Sequence, residues 1–141
     1  MSDIERAKSI LIKNNYTCVL CKEDEEYHSS LRGVRPLLDC LESGCSYAGF
    51  SAADKTVGAG AAHLYILLGV SHVWAAVISQ KGLDLLEKNG IVVHFETKVP
   101  FIINRAGNGP CPIENATKDI ESPTEALCKI HRVLSRLATG N

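Results

Sequence analysis

Six consecutive apolar residues, VWAAVI at 73–78, constrain this chain more than any other segment. A strand solvated on one face alternates apolar and polar side chains. A strand covered on both faces does not, and uninterrupted runs of this length belong to parallel sheets packed between helices. The flanking segments agree. Before the run, residues 54–68 carry Val57, Ala61, Leu64, Tyr65 and Leu68 at helical spacing, with Gly58, Ala59, Gly60 and Ala62 on the opposite side. That pattern predicts a buried helix packed closely on a neighbour and stopped by Gly69. After the run, residues 79–89 read as a short helix with Leu83, Leu85 and Leu86, closed by Asn89-Gly90. Residues 91–95 read as a further buried strand.

The remaining segments add an antiparallel part. Ser2 and Glu5 have capping-box spacing, and Ile4, Ala7, Ile10 and Leu11 form one stripe, so a helix is expected over 3–14. Residues 16–21 (YTCVLC) read as a strand, with 27–30 returning as its hairpin partner. A short helix is expected near 34–43. Residues 96–122 read as a long irregular loop, with 100–105 (PFIINR) as an edge strand within it. Ser122, Pro123 and Glu125 announce a last helix, with N-cap, N1 proline and N3 carboxylate in order. The expectation is an α/β fold, a three-layer α/β/α sandwich with a mixed sheet, forming a single domain over residues 1–141.

Charge and cysteines bound the functional classes. The formal net charge is -1, which argues against nucleic acid held by bulk charge. No window approaches the ~18 continuous apolar residues of a membrane helix, so no membrane partner is expected. The opening MSDIERAKSI is acidic where a signal peptide is basic, so a cytoplasmic location with reduced cysteines is expected. Cys18-x-x-Cys21 and Cys40-x4-Cys45 approach a four-thiolate zinc pattern. The first pair, however, falls on a strand, where odd spacing sends side chains to opposite faces, and no glycine or proline forms a knuckle. Metal ligands are therefore expected to be none.

In open α/β sheets, ligands sit beyond the carboxyl ends of the parallel strands. Three segments are expected to meet there: residues 51–55, residues 78–80, and the loop holding Asn104, Arg105 and 109–112. Lys55 and Arg105 offer positive charge, Asp54 and Glu114 offer carboxylates, and Ser79 and Asn104 offer polar contacts. Cys111, between two prolines, offers a thiol as the candidate catalytic group. Ordinary readings compete with these. Asp54 also reads as a helix cap, Ser79 more readily as a cap than as a ligand contact, and Arg105 as half of a surface ion pair. His63 and His94 lie in apolar runs and read as interior residues.

The segments SAADKTVGAGAA, VISQKGLDLLEKNGI and VPFIINRAGNGPCPIE, with the opening helix and YTCVLCK, resemble a family of small prokaryotic-type proteins of unknown function. The family's fold is cytidine-deaminase-like. The resemblance spans about residues 3–135. It implies a three-layer domain lacking the zinc signature: the helix starts that carry metal ligands in deaminases read here as 53–55 and 78–80, with no His or Cys. Zinc-activated water is then not implied, nor is any cofactor. The function this implies is binding of a small anionic or nucleotide-like ligand. The alternatives are a cysteine-dependent enzyme or sulfur carrier using Cys111, and a partner-binding protein with a closed pocket. The resemblance also admits a homo-oligomer.

Overall fold

Eleven elements follow one another in the computed structural model, which describes residues 1–104 and 106–138. Helix α1 (Asp3–Asn14) starts where the Ser2 hydroxyl accepts the Glu5 N–H. It stops at Asn15, whose left-handed backbone (φ 53°) returns its N–H to the Leu11 carbonyl. Strands β1 (Cys18–Lys22) and β2 (Glu25–Ser29) form the expected hairpin, and helix α2 (Arg35–Glu42) buries Leu37, Leu38 and Cys40. Strand β3 (Ser51–Val57), helix α3 (Ala59–Leu68), strand β4 (His72–Ser79), helix α4 (Gln80–Lys88) and strand β5 (Val92–Val99) then alternate. Helices α5 (Pro112–Thr117) and α6 (Pro123–Ala138) complete the order.

The strands form one sheet in the order β2-β1-β3-β4-β5. β1 runs antiparallel to both β2 and β3, whereas β3, β4 and β5 are parallel. The mixed sheet read from the sequence is thus present, with helices on both faces. On one face α1 sets Ala7 and Leu11 against Val19, Cys21, Ala53 and Trp74. On the other, α3 and α4 cover the sheet, and α2, α5 and α6 pack around α3. Eight of the ten α3 residues are buried, so this helix lies inside the molecule. Each Leu buried there contributes about 1.5–3 kcal/mol. Gly69 ends the helix with φ 78°, a backbone that a side chain would strain. Among the described residues no helix is long and apolar enough to cross a membrane.

Four expectations are corrected. Residues 51–57 form a strand rather than the first turns of a helix, which begins only at Ala59. Small Ala52 and Ala53 carry little strand propensity of their own. They lie on a strand because β1 pairs with one side of it and β4 with the other, with helices above and below. β5 is an exposed edge and not a buried strand, with Val92 47% and Phe95 42% exposed. Among the described residues no strand follows to cover it: within 100–104 the pairing amounts to one bridge, Ile103 to Pro110. The loop is also shorter than expected, because β5 continues to Val99 and α5 forms at Pro112–Thr117.

Candidate functional site

A cavity of about 250 Å³ opens at the C-terminal end of β3, beside the start of α3. The segment 32–34 before α2, together with Ile102, Cys111, Ile113 and Glu114, completes its walls. Two carboxylates line it. Asp54 points from β3 toward α3, where the Tyr65 hydroxyl donates to its Oδ2 at 2.6 Å and the Thr56 N–H donates to Oδ1 at 3.1 Å. The Tyr65 hydrogen is committed to Asp54, so the Cys18 thiol, 3.4 Å away, donates to the Tyr65 oxygen. Burial pushes the Asp54 carboxyl up to about 7, despite the opposing pull of the Tyr65, Thr56 and Lys55 donors. Burial likewise raises Tyr65 and Cys18 well above their ordinary values, so both stay protonated as donors.

Glu114 reaches the cavity from the first turn of α5. Its Oε2 accepts the Ala59 N–H at 2.7 Å, capping α3 from a residue 55 positions away. Gly58 makes this contact feasible, since a Cβ there would collide with Oε2. The other oxygen, Oε1, takes no hydrogen bond from any described residue. Cys111 stands at the N-cap of α5, half-buried, with its thiol outside any capping bond, and lines the same space. At the mouth lies Arg32, exposed, whose guanidinium makes no hydrogen bond or ion pair with any described residue.

The remaining expected site residues divide. Lys55 lines the cavity, but its ammonium reaches Asn15 Oδ1 at 2.6 Å, at the end of α1. Strand alternation explains this, because neighbours on β3 face opposite sides of the sheet. Ser79 is fully buried and caps α4, accepting the Gly82 N–H at 3.0 Å. Asn104 closes its own turn, exchanging hydrogen bonds with Asn108. Neither lines the cavity. Arg105 lies outside the described residues. Asp54 is not a helix cap: it lies within β3, and the helix begins at Ala59 with Gly58 at its N-cap. Cys18 and Cys21 enter the hydrophobic clusters on opposite faces of β1. Among the described residues no group of three or more His, Cys, Asp or Glu is gathered closely enough to hold a metal ion. His63 is interior, its Nε2–H donating to the Ile120 carbonyl at 2.9 Å, and burial lowers its pKa. His94 is exposed on β5, not interior.

Sequence reasoning missed Arg32, Tyr65 and Cys18. Tyr65 left a signal: a lone hydroxyl on an otherwise apolar buried helix needs a partner. Arg32 left none beyond standing next to a chain-breaking glycine.

The profile of a domain of unknown function, DUF1893, matches residues 6–134. The chain belongs to the DUF1893 family. A crystal structure of a DUF1893 family protein from Thermotoga maritima superposes with a TM-score of 0.83 at 25% identity, over 96% of this chain and 91% of that one. The dCMP deaminase of cyanophage S-TIM5, in its apo form, aligns with a TM-score of 0.44 at 15% identity, over 69% of this chain and 94% of that one. No curated protein matches the chain in sequence.

Proposed function

We propose that this DUF1893 domain binds a small nucleotide-like molecule in the cavity at the end of β3. The support is one arrangement: two buried carboxylates, one with an oxygen that no described residue hydrogen-bonds, on an open cavity with a guanidinium at its mouth that no described residue pairs. Carboxylate oxygens accept the amino and ring N–H donors of a heterocycle, and Arg32 suits a phosphate or carboxylate substituent. The volume, about 250 Å³, falls just under the range of about 300–1,000 Å³ for drug-sized ligands and fits a single heterocycle with a short substituent. Native mass spectrometry of freshly purified protein should reveal a bound mass in that range. Arg32→Ala should weaken a nucleoside monophosphate about tenfold or more while leaving the parent nucleoside nearly unaffected. No adduct, and no thermal shift with any nucleoside or nucleotide, would refute the reading and leave a partner-binding role.

The second reading, a cysteine-dependent enzyme or sulfur carrier, draws on Cys111 lining the same cavity as Asp54 and Glu114. Alkylation at neutral pH tests it. Cys111 should react faster than the exposed Cys45 and Cys128 if it acts as a nucleophile, and more slowly if it is only a cavity wall.

A further inference from the structure

We propose that the chain forms a two-fold homodimer in which β5 pairs antiparallel with β5 of a second copy, centred on Phe95. The two edges of the sheet differ in a way that points to β5. β2 is five residues long and carries Glu25, Glu26 and His28, the short charged edge that resists further pairing. β5 is eight residues long, and exposes Val92 and Phe95. Among the described residues, β4 is the strand it pairs with.

The free backbone groups select the register. The Val92 N–H donates to the Ser71 carbonyl beside β4, and the pairing with β4 keeps one constant offset along β5. Val92, His94, Glu96 and Lys98 therefore spend their backbone groups on β4, while Val93, Phe95 and Thr97 direct theirs outward. A two-fold axis at Phe95 pairs these outward groups, Phe95 with Phe95 and Val93 with Thr97 on each side. The pairs between them carry the closest side chains in an antiparallel ladder. There His94 of each copy meets Glu96 of the other, on the face that holds Trp74. Phe95 meets Phe95 on the opposite face. Centring on His94 or Glu96 instead would set like groups together. Centring on Thr97 would pair Glu96 with Lys98 but keep only residues 95–99 of the strand, against 92–98 for the Phe95 register.

Sedimentation velocity on the full chain at micromolar concentration tests this, with variants checked for folding by circular dichroism. Wild type should sediment at twice 15.3 kDa. His94→Glu should weaken the dimer about tenfold or more by opposing two pairs of carboxylates. Adding Glu96→Lys to His94→Glu should restore it, because each pair again unites opposite charges. Thr97→Pro removes an outward N–H without touching the β4 ladder and should give a folded monomer. A monomeric wild type overturns the proposal. So does a dimer indifferent to His94→Glu and Thr97→Pro. A dimer that His94→Glu leaves intact but the double substitution abolishes overturns this register in favour of the one centred on Thr97.

Discussion

Asp54 and Glu114 line the same cavity and are buried almost equally, 7% and 3% exposed, yet the fold holds them in different ways. Asp54 sits in a strand, where the donors that reach it are a side-chain hydroxyl and the strand's own N–H groups. Those donors do not offset the loss of water, and its acidity shifts toward neutrality. Glu114, on α5, turns its carboxylate to the start of α3, where an otherwise unsatisfied helix N–H meets it. One carboxylate becomes a group able to change charge near physiological pH. The other becomes part of the scaffold and offers only its second oxygen to a ligand. Depth of burial does not assign a carboxylate its role; the backbone facing it does.

The largest effect that would break this contrast concerns Asp54. Its pKa rises from about 3.9 in an unfolded chain to about 7 in the fold. A raised acid contributes stability that is fully present below about pH 4 and lost as pH climbs through about 7. The span is on the order of 4 kcal/mol. Asp54→Asn keeps the shape and removes the titration, so it should be more stable than wild type above pH 7, with the gap closing toward pH 4. Thermal melts of both proteins across that window check it, and a constant difference would show that Asp54 does not titrate there.

The next effect concerns the space Glu114 needs. Gly58→Ala drives a Cβ into Glu114 Oε2 and against Ile102. It should cost about 3 kcal/mol in a urea titration, as overpacking of a closed contact does. A loss below about 0.5 kcal/mol would mean that Glu114 retreats freely and is no scaffold. The smallest effect sharpens the same point. Glu114→Gln keeps an oxygen that can accept the Ala59 N–H and loses only the favourable meeting of charge and helix end. It should therefore cost less than about 1 kcal/mol by thermal melting.

Much of the candidate site was legible as a set of residue types. Asp54, Glu114 and Cys111 were singled out, and all three line the cavity. Their settings were less legible. Reading Asp54 as a helix cap failed because its strand neighbours, Cys18 on β1 and Ala75 on β4, come from other parts of the chain. Lys55 was expected beside Asp54, but the alternation of a strand sends its ammonium to α1. Ser79 carried a correct alternative, since a serine at a strand-to-helix turn declares itself a cap within three residues.

What the amino-acid order determined by itself were the events settled within one helical turn or one strand. These are the starts at Ser2, Ser79 and Ser122, the stops at Asn15, Gly69 and Gly90, and VWAAVI as a covered strand. Only the tertiary structure decided that Ser51–Val57 is a strand, that Arg32 stands at the mouth of the cavity, and that Asp54 titrates near neutrality. Each depends on groups brought together from distant positions, as when Glu114 caps Ala59, and local propensity carries no information about which distant partner will remove water from a given side chain.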